Sequence, residues 1–590
     1  GQTLALIGGN LDFDGGTLTA EQGKIALGSV RSPGFVRLTD QGFDYSEISE
    51  FGTIRLDQRS LLDVSGANAG SIQIRADQFT VRNGSLVFSQ NHGTRTAGAI
   101  EVQASQAIIA EGNSSSNTLT GFYSETRNAG ESSRIKLQAP EIQFQNAAIY
   151  TRTIQRGGKG GDIEIEADRL SAISTISTPG SLATGGINAV ASGTSPASNV
   201  KISARDINLF NAIILVNAAG NGNSGDIVIR SDNLTVGGNR VLSMISSVAL
   251  RGDSGAIAID TERLRLFGGG TIGTANFGSG SAGDVRVSAS DQIEVTGVLR
   301  PGVPTRLDSS ILSLPIPGIS TLPTAHAGTV TLTTGRLLVS NGAEIAVRNE
   351  GTGNGGRLEI NANEIKVDSA QLAASTRLGD GGDILLNVRD SLLLRDRAQI
   401  LTNSKGNGGD ITINAPVIVG INNSDIIANA IAGRGGNITI NTQSLIGLAF
   451  RNLDNPINTP TNDISARSER NVSGNVNITT PKVDPDAGLI QLDTDLIDTS
   501  QTVAVGCAEE QSSQFIFTGR GGMPTNPSHQ MNATLQPWVD LRSHPRSTQA
   551  VMSSSPRLQE ATTWKRGATG QVELIAEHPT DPAAIATCAK

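Results

Sequence analysis

From Asp410 the chain reads Asp-Ile-Thr-Ile-Asn, apolar at 411 and 413 and polar at 410, 412 and 414. Side chains alternate across a strand, so Ile411 and Ile413 share one face and Thr412 takes the other. The pattern returns 27 residues later, "GGDITIN" at 408–414 becoming "GGNITIN" at 435–441. The first apolar residue of each "G-x-[IVL]-x-[IVL]" match, or close variant, marks a series: Ile72, Ile100, Ile135, Ile163, Val200, Ile227, Ile257, Val285, Val330, Leu358, Ile384, Ile411, Ile438 and Val476. Most steps are 26–30 residues, with longer ones of 35, 37, 45 and 38. Weaker matches at 23–27 ("GKIAL") and 52–56 ("GTIRL") extend the pattern towards the start.

Between markers, further β-branched runs such as "VIVGI" and "DIIANAI" are separated by Gly- and Asn-rich turns, and no capped helical pattern intervenes. About three short strands per unit cannot bury their apolar edges alone. They can do so by stacking on the next unit. The expected fold is therefore all-β: a right-handed parallel β-helix, a single-stranded, pectin-lyase-like solenoid with coils of about 27 residues. Roughly 16–18 coils at ~4.8 Å give a rod on the order of 80 Å long. Long steps read as turn insertions. The stretch 290–327 holds Pro301, Pro304, Pro315, Pro317 and Pro323 and is expected to leave the rod as a loop, as is 450–470. The expected organisation is first coils over 1–50, a rod over 51–505, and a non-repeating cap and tail over 506–590.

Composition narrows the function classes. Aromatics are 3 % of 590 residues, which suits a narrow stack of Ile, Val, Leu and Ala. No apolar run is long enough to span a bilayer. Net charge is −9 with no basic block, which argues against nucleic acid as a partner. The chain opens at Gly1 with no charged-then-apolar leader, as expected of a processed chain or a fragment.

Several motifs invite chemistry. "GTGNGG" at 351–356, "GNGNSG" at 220–225 and "GSGSAG" at 278–283 match a dinucleotide fingerprint by letter, but a strand pattern rather than a helix follows each. "GDSG" at 252–255 puts Ser254 in an ordinary repeat turn, with no His and Asp to activate it. Arg251, Gly252 and Asp253 spell a cell-attachment tripeptide on an exposed turn; chance is the plain alternative in a chain rich in all three. Asp383 and Asp410 occupy equivalent positions one coil apart, as do Asp162, Asp226 and Asp284 in their own coils. Stacked carboxylates could hold calcium or act on a sugar, but their turn position favours capping of backbone donors. The five histidines have no metal-ligand spacing and there is no C-x-x-C, so no zinc site and no cofactor is expected.

"GNGGDITIN…AGRGGNITIN", preceded by "GQTLALIGGNLDFDGGTLTAEQGKIALGSV" at 1–30 and followed by "CAEEQSSQFIFTGRGGMPTNP" at 507–527 and "WVDLR" at 538–542, resembles the cyanobacterial filamentous-haemagglutinin-type exoproteins of two-partner secretion. The first segment resembles the closing strands of that family's secretion domain, most of which has no counterpart here. The resemblance implies the C-terminal part of a longer protein. It also implies export through an outer-membrane two-partner-secretion transporter of the Omp85 type, and a secreted, extracellular or cell-surface life as a non-enzymatic adhesin, with surface glycans or other cells as partners. A β-helix polysaccharide lyase or hydrolase, or a layer-forming cell-envelope protein, are the alternatives. The enzyme would need acidic and basic residues on adjacent coils lining one groove, which the sequence does not display. In an extracellular setting Cys507 and Cys588 either form a bridge closing a loop of about 80 residues or remain two separate thiols.

Overall fold

The computed structural model describes residues 1–39, 42–113, 119–154, 157–175, 185–313, 322–453 and 459–480, and the backbone of 563–566 and 572–575. The chain divides into two units, Gly1–Lys482 and Val483–Lys590.

The first unit is a parallel β-helix. Each coil contributes strands to a 22-stranded sheet and to a 16-stranded sheet. A typical coil pairs a long strand, Ser71–Arg82, with a short one, Leu86–Asn91. The long strand covers two faces of the coil. Register slips at its middle, between Ala104 and Ala107 in the next coil, where the strand turns the corner. Elsewhere the same path breaks into two strands, as in Ile135–Gln138 and Glu141–Gln145. Three short strands per unit, the reading from sequence, is therefore the underlying plan.

Marker residues stack in one inward column. Ile384 pairs with Ile411, and Ile411 with Ile438; their exposures are 1 %, 0 % and 0 %. Each such side chain contributes roughly 1.5–3 kcal/mol of transfer free energy on burial. The interior is not wholly apolar. On or directly after the short strands, Thr274, Ser247 and Thr402 donate hydroxyl hydrogen bonds to the carbonyls of Gly283, Gly225 and Gly409, at 2.6, 2.9 and 2.7 Å. Inward hydroxyls thus satisfy turn carbonyls that no ladder reaches.

Two residue types are fixed by this geometry. A Cβ on Gly409 would sit 2.0 Å from the carbonyl oxygen of Gly382, and one on Gly436 2.1 Å from that of Gly409. The glycine before most marker strands is there because adjacent coils touch backbone to backbone, with Ser133 and Ser198 in its place before Ile135 and Val200. The corner between the second and third faces is left-handed, at Asn83 (φ 50), Asn146 (φ 50), Asn211 (φ 52) and Asn341 (φ 57). Asn tolerates that region better than other residues with a side chain, which explains the Asn-rich turns.

Three boundaries differ from the sequence expectations. The stretch 290–327 is not one loop: 290–296 finishes the strand Val285–Thr296, Val298–Arg300 and Val303–Pro304 form a small antiparallel hairpin, and Arg306–Ile311 is a full rung of the 16-stranded sheet. The prolines cluster outside that rung, which is why it escaped the pattern. Within 450–470 the strand Asp463–Ser465 rejoins the same sheet. "GKIAL" and "GTIRL" are not successive coils but two faces of one: Ile25 pairs with Ile72 and Ile54 with Phe79, both on the strand Ser71–Arg82. The coils begin at Thr3, within the stretch 1–50 expected to hold the first coils, and the chain divides after Lys482. In the second unit, Thr563–Arg566 pairs antiparallel with Val572–Ile575. Among the described residues no helix is long and apolar enough to cross a membrane.

Candidate functional site

The Asp positions singled out by the repeat form a ladder. Asp383 Oδ1 accepts the backbone N–H of Asp410 at 3.0 Å, and Asp410 Oδ1 accepts that of Asn437 at 2.8 Å. Asn437 Oδ1 in turn accepts the N–H of Asn475 at 3.2 Å. Asp162, Asp226 and Asp284 do the same for Asn199, Ala256 and Thr329. Each side chain reaches up one coil to a donor that the turn leaves outside the β-ladder. Asn and Asp are interchangeable in this role because only an acceptor oxygen is required. Among the described residues no group of three or more His, Cys, Asp or Glu is placed to hold a metal ion.

The attachment tripeptide belongs to a parallel ladder. Asp253 Oδ1 accepts the N–H of Ser281 at 2.9 Å, and the Asp253 N–H donates to Asn223 Oδ1 at 2.9 Å. Gly252 stands where a Cβ would lie 2.3 Å from the Gly222 carbonyl oxygen. Arg251 is exposed on the same turn. Ser254 is buried, its hydroxyl donating to the Ala275 carbonyl at 2.6 Å. A third ladder joins Asn361, Asn387, Asn414 and Asn441 through side-chain amides at 2.8, 2.8 and 2.7 Å. This explains why the last letter of "GGDITIN" recurs as well as the first. Cys507 and Cys588 lie outside the described residues.

One enclosed surface feature was not among the sequence candidates. Between the strands Lys24–Ser29 and Thr53–Asp57 of the second coil, the chain leaves the rod to form the hairpin Arg37–Thr39 and Gly42–Asp44. Arg37 is ion-paired to Glu47 beyond it. The hairpin and the following turn stand beside the outer face of the next three coils, enclosing a cleft of about 510 Å³. Phe43, Asp44 and Tyr45 form its wall. Its floor comes from outward positions of three consecutive strands: Gln73 and Arg75, then Glu101 and Gln103, then Lys136 and Gln138. Gln73 Oε1 accepts the N–H of Phe43 at 3.3 Å and ties wall to floor.

An aromatic–cation cluster anchors the wall. Tyr45 packs edge-on to Phe51 at 5.9 Å, and the Arg75 guanidinium lies 4.7 Å from the Phe51 ring centre. Burial pushes the Tyr45 phenol up to about 12, opposed by the nearby Arg75 charge, so the phenol stays protonated at neutral pH. Arg75 Nη1 is buried and has no hydrogen-bond partner. Arg134, at the edge, pairs with Glu101 at 3.6 Å, and Lys136 with Glu166 at 3.5 Å. Acidic and basic groups thus meet on adjacent coils in one groove, which the sequence reading did not anticipate. One signal was available: Phe35, Phe43, Tyr45 and Phe51 fall within 17 residues of a chain that is 3 % aromatic.

Comparison with protein-family models, with curated proteins and with solved structures finds no match to this chain.

Proposed function

We propose that this chain is a secreted, rod-shaped surface adhesin or exoprotein without enzymatic activity, exported by two-partner secretion through an outer-membrane transporter of the Omp85 type. The observation that carries the reading is the use made of the repeat's polar residues. The carboxylates of Asp383 and Asp410 accept backbone N–H groups of the next coil, which makes them parts of the scaffold. A scaffold that repeats its turn chemistry coil after coil presents the same surface over roughly 70 Å, given about fifteen coils at ~4.8 Å. Such a surface suits display and multivalent contact with glycans or other cells, and function resides in what it carries. The resemblance of the repeats and of the segments at 1–30, 507–527 and 538–542 to filamentous-haemagglutinin-type exoproteins supports the export route.

The hairpin cleft favours a second reading, a polysaccharide lyase or hydrolase, because it sets Glu101, Arg75 and Lys136 on adjacent coils. Its chemistry supports binding better than turnover. The Tyr45 phenol is pushed away from the range of a neutral-pH base, and Glu101 and Lys136 each face an opposite charge. Fractionation of the native producer decides the location: the chain in the medium, or open to added protease on intact cells, is the expected result. Retention in the cytoplasm refutes export. Incubation of purified protein with polyuronates, read at the absorbance of unsaturated products and by reducing ends, is expected to show no turnover.

A further inference from the structure

The cleft beside the hairpin carries more cationic than acidic groups on a chain whose net charge is −9: Arg75, Arg134 and Lys136 against Asp44 and Glu101. Arg134 and Lys136 are each met by a carboxylate, whereas Arg75 Nη1 has no acceptor although it is buried. A guanidinium offers its donors in a planar fork that matches an oxyanion, and an unanswered donor is costly to bury. Beside it stand the rings of Phe43 and Tyr45, and the amides of Gln73, Gln103 and Gln138, each able to donate and accept at once.

We infer that this cleft binds an anionic polysaccharide. The anionic group of one sugar meets Arg75, the apolar face of a ring lies on the Phe43 and Tyr45 wall, and ring hydroxyls meet the glutamine floor. The inference rests on the surface-display reading and gives that display a ligand class. The floor favours a repeating polymer. Gln103 and Gln138 are register partners on adjacent coils, so like amides recur along the rod axis every ~4.8 Å. The floor disfavours an acidic peptide. Extended peptides are commonly held by adding a strand to an open sheet edge. Here the strand Ser71–Arg82 is paired on both sides, to Lys24–Ser29 and to Ile100–Glu111, and offers no edge.

The test is titration calorimetry on the full chain with four probes of matched length: oligogalacturonate, sulfated dextran oligosaccharide, neutral cello-oligosaccharide and poly-glutamate. Binding of oligogalacturonate or of the sulfated glycan, weakening as salt is added, is expected, and the tighter of the two identifies the anion. Arg75→Gln is expected to weaken that binding about tenfold or more. Arg75 also stacks on Phe51, so Lys136→Gln serves as a second variant whose fold does not depend on such a contact, with an expected loss of about threefold. Absence of binding by both anionic glycans overturns the inference. So does equal affinity for the neutral oligosaccharide or for poly-glutamate, or binding unchanged in both variants. The location assay above is independent of every one of these outcomes, so failure of the cleft and failure of surface display are told apart.

Discussion

Replacing Asp410 distinguishes a structural ladder from a metal or catalytic carboxylate. Its Oδ1 accepts the Asn437 backbone N–H at 2.8 Å and the Asn437 side-chain amide at 3.2 Å. Asp410→Ala removes both acceptances. The site is exposed, so water answers the abandoned donor, and the loss falls near the net value of one hydrogen bond, about 1 kcal/mol. Asp410→Asn keeps an acceptor oxygen and removes one of two carboxylates placed a coil apart. Two charges ~5 Å apart in water repel by about 1 kcal/mol, and physiological salt cuts this to several tenths. The Asn variant should therefore match the parent or exceed it slightly, as Asn437 already does in the next coil. Urea unfolding gives the overall stability. Hydrogen exchange of a peptide covering 430–440 gives the local effect, with the Asn437 amide opening about fivefold more often in Asp410→Ala, the factor for ~1 kcal/mol. Equal damage from Asn and Ala would refute the ladder account. So would calcium that stabilises the parent but not Asp410→Asn.

The remaining predictions concern other links of the same chain. Gly409→Ala places a Cβ 2.0 Å from the Gly382 carbonyl oxygen, so a loss of about 3 kcal/mol or failure to fold is expected, read by thermal melting; a melting point like the parent's would deny backbone contact between coils. Asp425 is fully buried, with one oxygen accepting the Asp463 N–H at 2.9 Å and the other lacking a partner. Burial, reinforced by the Asp463 charge and opposed by the Asp463 N–H, raises its pKa from 3.8 to about 6. The folded chain then holds this proton more tightly than the unfolded one. Stability should rise as pH falls from about 7 to about 4, by on the order of 2 kcal/mol, and Asp425→Asn should be more stable than the parent at pH 7.5 and flatten that dependence; a parent curve flat over this window would refute the assignment. Deleting 305–312 removes a rung paired on both sides and should abolish cooperative unfolding, whereas a melt unchanged from the parent would return that stretch to a loop. In protein recovered from the medium, a non-reducing mass two protons below the reduced one is expected if Cys507 and Cys588 are bridged; two alkylatable thiols exclude the bridge.

The architecture of the first unit is legible in the repeat pattern alone. Period-2 alternation at Ile411 and Ile413, returning at Ile438 and Ile440, specifies strands with one buried face, and a constant spacing becomes vertical registry once units stack. The sequence also marked the turn positions of Asp383 and Asp410, because a ladder must repeat a residue type at a fixed phase. What it withheld lies where the period fails. The strand Arg306–Ile311 sits among prolines and carries no glycine marker, so only its neighbours on the sheet identify it. The hairpin at 37–44 is an insertion, and an insertion carries no phase from which to infer which coils it will stand beside. The cleft depends on that placement. Arg75, Gln103 and Lys136 are ordinary outward residues of three coils, separated by 28 and 33 positions, until the hairpin gives them a common wall. Asp425 likewise reads as one more polar strand residue. Its burial, and with it its proton affinity, is set by what surrounds it in three dimensions, a quantity that no one-dimensional pattern contains.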